Sequence, residues 1–233
     1  MVKAELIKRS PLRILEKSIQ GGLGEGNIGV FASRKGVGKT ACLVHVATDK
    51  LLQGKAVIHV SYSSRVDYII NWYEHIFKEI AKKRQLVSAV DVHDEIIKNR
   101  VIMNFRQDGA RTERVLSSLE AMIVHGKYAA EIIIFDGYDF AGSSDEDFRK
   151  IKEFAKKLGM EVWFSASLKG EDPLFDDMGV PFVLKSYMDD IDVLITLGFK
   201  DEYIGLNLIK NFNQSALGAL PLKLDPNTLL IAE

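Results

Sequence analysis

The stretch Phe31-Ala32-Ser33-Arg34-Lys35-Gly36-Val37-Gly38-Lys39-Thr40 leaves an apolar segment, turns through two glycines and enters a helical pattern at Lys and Thr. A chain that carries it must place a strand, a tight turn and a helix in succession, the local architecture of a phosphate-binding loop. Gly38, Lys39 and Thr40 meet the end of the pattern G-x-x-x-x-G-K-[ST], and Ser33 stands where its first glycine falls. In such a loop, glycines let backbone N–H groups converge on phosphates, and the following helix adds its positive end. The segment Ser33, Arg34, Lys35, Gly36, Val37, Gly38, Lys39, Thr40 and Ala41 is therefore the candidate nucleotide-binding site. Lys39 can reach the outer phosphates and the Thr40 hydroxyl can ligate Mg²⁺. Ser33 matters to the loop only if its backbone must take a positive φ. Arg34 and Lys35 either neutralise phosphate further or face solvent.

The flanks agree with this reading. Asn27 to Ala32 is a short apolar run bounded by glycine, as in a buried parallel strand. From Thr40, apolar residues recur at helical spacing until Gly54. Ala56 to Tyr62 reads as a second strand, followed by an amphipathic helix with Ile69, Tyr73, Ile76, Phe77 and Ile80 on one face and Trp72 packing beside it. A helix from Leu86 to Asn99, a strand from Val101 to Phe105 and a helix from Thr112 to His125 continue the alternation. The run Glu131 to Asp136 ends a buried strand in an acid, which places Asp136 to hold the same Mg²⁺ as Thr40 through water. Ser144 caps the next helix, Gly159 ends it, and Glu161 to Ser167 is a fifth strand. Strands linked by helices imply a parallel sheet.

The end differs in kind. Asp192 to Leu197 and Tyr203 to Ile209 form an antiparallel hairpin, Asn211 to Asn227 reads as loop, and Leu229 to Ala232 as a last strand. Residues 168–181, with Gly170, Pro173, Gly179 and several acids, read as a long loop ordered only by ligand or partner and as a candidate lid.

At 233 residues the chain suits one α/β domain spanning 1–233. A net charge of -1 does not promote nucleic acid as a partner. The lone Cys42 excludes an internal disulfide and is read as a small packed residue; no Cys/His spacing suits zinc. Neither a signal peptide nor a membrane-spanning run is legible, so a cytoplasmic protein without a membrane partner is expected.

Leu15-Glu16-Lys17-Ser18-Ile19-Gln20-Gly21-Gly22-Leu23-Gly24-Glu25-Gly26, followed by the phosphate loop, resembles the lead-in of the RecA superfamily of P-loop ATPases, most closely its KaiC-like branch. Gly54 to Ser61 is similar to that family's second strand, and Leu208-Ile209-Lys210-Asn211-Phe212-Asn213 to its hairpin strand carrying basic residues toward a neighbouring subunit's nucleotide. The resemblance covers nearly the whole chain. It implies a RecA-like α/β fold with a mostly parallel sheet and a C-terminal antiparallel hairpin extension, ATP or ADP with Mg²⁺ as cofactors, and a homo-oligomer with the site between subunits. In that setting Lys210 is the residue that would act in trans.

The departures matter as much. Where the family has paired glutamates after the second strand, Tyr62-Ser63-Ser64 stands; where it has a polar sensor after the metal-strand acid, the nearest match is Ser167; and Phe212 replaces an expected Arg. The implied protein binds nucleotide, hydrolyses it slowly or not at all, and uses occupancy as an assembly or signalling switch with a protein partner. The alternative is an active ATPase in which a substitute acid, Asp67 or Asp108, orients water. The loop also resembles that of ParA and MinD partitioning ATPases, but their loop lies at the extreme N-terminus and their second strand ends in an aspartate, where this one ends Ser61-Tyr62-Ser63. A DNA-recombination protein of RecA type would need a basic face that the charge balance does not suggest.

Overall fold

The computed structural model describes residues 2–65, 67–86, 89–106 and 111–233. Short helices α1 (Val2–Lys8) and α2 (Leu12–Ser18) precede β1 (Ile28–Arg34) and α3 (Lys39–Leu52). Then come β2 (Ala56–Ser61), α4 (Asp67–Arg84), α5 (Ala89–Lys98), β3 (Arg100–Asn104), α6 (Thr112–Glu120) and β4 (Ala130–Asp136). The chain closes with α7 (Asp145–Leu158), β5 (Glu161–Leu168), β6 (Val193–Lys200), β7 (Tyr203–Asn211), β8 (Gln214–Leu224) and β9 (Ile231–Ala232).

Among the described residues the strands form one sheet in the order β3-β2-β4-β5-β1-β6-β7-β8-β9. The first six of that order pair in parallel, and from β6 onward the pairing is antiparallel. Because both faces of the parallel part are covered, its strands are apolar on both sides. Phe31, Ile132, Ile134 and Trp163 face α3 and α4, while Val30, Ile133, Phe135 and Phe164 face α6 and α7. The close approach of Trp163 to β1 requires Gly29, where an added Cβ would lie 2.5 Å from the indole ring.

Local signals behave as read. Ser144 Oγ accepts from Asp147 N at 3.1 Å, and Gly159 closes α7 with φ 64°. The helix over Thr112 to His125 ends in a wider π-turn at Ala121–His125. Asn211 to Asn227 is the correction: most of it is β8, whose Leu220, Leu222 and Leu224 point inward at period 2. Pro221 sits where the β7 register shifts between Gly205 and Asn207, so the missing N–H falls in a bulge.

Residues 168–181 also differ from expectation, since they are tied within the chain without any ligand. Asp176 Oδ1 accepts from Met178 N and Val180 N, and Phe182 N donates to Leu174 O at 3.0 Å, leading into a 3-10 turn at Phe182–Tyr187.

Candidate functional site

The carboxyl ends of β1, β2, β4 and β5 converge on one cleft of about 640 Å³, walled by the phosphate loop, Ser61 to Ser64, Tyr68, Trp72, Asp136 to Ala141, Ser165, Ser167 and Lys169. This is where parallel α/β sheets place ligands, and the volume lies in the usual range for a small-molecule site.

Ser33 belongs to β1 and pairs in register with Ser167 of β5, so its backbone is extended and needs no glycine. The required glycine is Gly38, at φ 108° before α3, where an added Cβ would lie 2.2 Å from Leu224 Cδ2. Strand β8 therefore backs the loop directly. Val37 and Ala41 are buried, so they present only backbone to a ligand.

Lys39 is only 6% exposed, and its ammonium folds back onto the loop. It donates to Ser33 O at 3.0 Å, Ser33 Oγ at 3.3 Å and Arg34 O at 2.9 Å. Burial lowers its pKa to about 8, against the opposing pull of Asp136 and Cys42. Lys35 stands exposed on the cleft wall, whereas Arg34 reaches away to Gly170 O at 3.0 Å and Asp172 Oδ1 at 3.2 Å.

Across the cleft, Thr40 Oγ1 donates to Asp136 at 3.1 Å and 3.2 Å, and Ser165 Oγ donates to Asp136 Oδ1 at 2.6 Å. Burial raises the Asp136 pKa; bonds from Ser165 and Thr40 and the charge of Lys39 oppose that rise. Among the described residues no group of three or more His, Cys, Asp or Glu could hold a metal by itself. A metal here would need phosphate oxygens to complete its shell. The Thr40 and Asp136 oxygens suit Mg²⁺, a hard ion that usually pairs one or two protein oxygens with waters and substrate phosphates.

Asp67 lies outside the cleft wall, exposed at the start of α4, where Arg65 donates to it at 2.7 Å. Asp108 lies outside the described residues. Lys210 is half-buried on β7 and donates to its own chain's Met188 carbonyl. Tyr62 packs against Phe105 and Tyr138, with ring centroids 6.5 Å and 6.1 Å away. Trp72 packs on the core as read, but together with Tyr68 it also walls the cleft.

The sequence reading missed Ser165 and Asp139. Ser165 shares a strand face with Ser167, and that period-2 relation was the available signal. Asp139 is an exposed acid on the cleft wall, a few residues beyond Asp136.

Strand order, crossovers and loop position together define a RecA-like α/β fold. No protein-family model matches the chain, and no curated protein matches it. Among solved structures it is similar to one whose title describes an ATPase domain, at 15% identity and TM-score 0.70, over 100% of this chain and 95% of that one. At that identity the likeness is one of fold. Among the described residues no helix is long and apolar enough to cross a membrane.

Proposed function

We propose that residues 1–233 form one RecA-like domain of the KaiC-like branch that binds ATP or ADP with Mg²⁺ and hydrolyses it slowly or not at all. Nucleotide occupancy then serves as a switch for assembly with further copies or a protein partner, in a cytoplasmic setting. The observation that carries this reading is the convergence of Lys39, Thr40 and Asp136 at one end of the cleft. Bound Mg²⁺ would supply charge neutralisation between phosphate oxygens, with Thr40 as direct ligand and Asp136 holding its water.

Weak turnover is supported by the end of β2. Tyr62 occupies the position of the family's glutamate pair as a packed aromatic, and burial raises its pKa well above the usual phenol range, so it is no base at neutral pH. The active-ATPase reading rests on Asp139, the exposed carboxylate on the cleft wall. Lys210 would serve a neighbour only after releasing Met188.

The test is nucleotide-dependent melting together with phosphate release. MgADP at about 100 times its Kd adds about 2.7 kcal/mol of stability. That gain is expected in the wild type and lost in Lys39→Ala, with negligible phosphate release from MgATP. Absence of stabilisation refutes the binding claim, and brisk release that disappears in Asp139→Asn refutes the claim of weak turnover.

A further inference from the structure

We propose that Ser165, not Ser167, is the positioning residue through which β5 holds the Asp136 carboxylate ready for a metal ion. This rests on the metal–nucleotide reading above and adds to it a side chain that neither the phosphate-loop pattern nor the family resemblance singles out.

Ser165 is 2% exposed, in the middle of the sheet. Its Oγ accepts from Gly137 N at 2.8 Å, and a hydroxyl has a single hydrogen to give. That hydrogen goes to Asp136 Oδ1 at 2.6 Å, the short distance of a bond to a charged acceptor. Asp136 is thus held from two sides, by Ser165 of β5 and by Thr40 at the start of α3. The second hold matters because the terminal torsion of an aspartate is broad and does not fix the carboxylate plane by itself. Mg²⁺ in turn demands near-octahedral geometry, so a carboxylate free to rotate costs metal affinity directly.

Ser167 lies one rung further along the same face, exposed on the cleft wall, and no hydrogen bond joins it to Asp136 among the described residues. Because Ser165 bonds the residue after Asp136 as well as Asp136 itself, it locks the ends of β4 and β5 together. Any displacement of β5, whose end also carries Lys169 into the cleft, would be felt at the metal-holding carboxylate.

The experiment separates metal from nucleotide. ADP binding is measured calorimetrically in EDTA and then over a Mg²⁺ titration, for wild type, Ser165→Ala, Ser165→Thr and Ser167→Ala. Loss of an outer-shell partner of a metal ligand typically weakens metal binding by about 10- to 100-fold. Ser165→Ala is expected to raise the Mg²⁺ concentration for half-maximal tightening by at least about 10-fold, with metal-free ADP affinity changed less than about 2-fold. Ser165→Thr restores the wild-type titration and Ser167→Ala leaves it unchanged. The proposal is overturned if Ser165→Ala keeps the wild-type midpoint, if it loses metal-free ADP binding in step, or if Ser167→Ala gives the effect instead. Should Ser165→Ala not fold, Ser165→Cys, of similar size with a weaker donor, must show the same displacement or the proposal falls. A wild type that binds no ADP under any condition overturns the nucleotide reading itself, an outcome distinct from a normal ADP isotherm with an unmoved Mg²⁺ midpoint.

Discussion

Replacing Ser33 by alanine should make the protein bind nucleotide more tightly, although it removes a polar side chain from the phosphate loop. In the empty loop the Ser33 hydroxyl accepts from Lys39 Nζ at 3.3 Å and donates to Arg34 O at 3.1 Å, so it bridges the ammonium to the carbonyl that also holds it. To meet a phosphate, Lys39 must leave all of these acceptors. A hydrogen bond to a charged group contributes about 1.5–3 kcal/mol. This one is long, and the two carbonyl acceptors remain at 3.0 Å and 2.9 Å, so about 1 kcal/mol is the reasonable share. The empty state of Ser33→Ala loses that share and the bound state does not, which corresponds to about fivefold tighter MgADP binding. Calorimetric titration of both proteins with MgADP reads the effect. A partner measurement excludes a trivial cause: the empty Ser33→Ala protein should melt about 2–4 °C lower than wild type, and by less when Lys39 is also replaced by Met. Equal or weaker binding by Ser33→Ala would refute the latch, because it would mean that the hydroxyl contacts the phosphate itself.

Other expectations follow from the same structure. With Lys39 lowered to about 8 in the free protein, nucleotide phosphates must restore its proton at higher pH. ADP affinity should therefore fall as pH rises above about 8, by up to about tenfold per unit, with proton uptake visible as a buffer-dependent heat; a flat profile from pH 7 to 9.5 would contradict this. Burial lowers His45 to about 4 and His59 to about 3, so the unfolded chain binds their protons first as pH falls below 6.5. Their contribution to stability is full above that value and is lost on the way down, on the order of 1–2 kcal/mol per residue by pH 5.5. Denaturant unfolding at pH 7.5 and 5.5 tests it, and equal stability at the two values would rule it out. Gly29→Ala should cost about 1–3 kcal/mol, since its Cβ would press on the Trp163 ring; a urea midpoint within error of wild type would show that the ring gives way freely.

The elements that could be read from sequence are those whose determinants are local. The phosphate loop announces itself because turn, helix start and functional groups are contiguous, from Ser33 to Thr40. Asp136 could be placed because a buried parallel strand is a continuous apolar run and the acid marks its mouth. Strand β8 was hidden because Gly218 and Pro221 read as loop residues, although Leu220, Leu222 and Leu224 keep strand periodicity around them. What made the proline tolerable was a register shift in β7, a property of the pairing rather than of either strand alone.

The site shows the same division. The sequence displays the missing glutamates after Ser61 but not what fills their place. Tyr62 is held between Phe105 and Tyr138, at the ends of elements brought together only by the order β3-β2-β4. Ser165 was overlooked for a related reason: a serine inside Val162-Trp163-Phe164-Ser165-Ala166 reads as a small core residue until β5 is laid beside β4 and its hydroxyl meets Asp136. Ser33 reverses the case, since a residue that looked like a defect in the loop is extended strand with a hydroxyl that keeps Lys39 home. The grip on phosphate and metal is thus encoded in contiguous residues, while its tuning lies in pairs far apart in the chain. A substitution that leaves the motif intact can therefore still change how readily the loop opens.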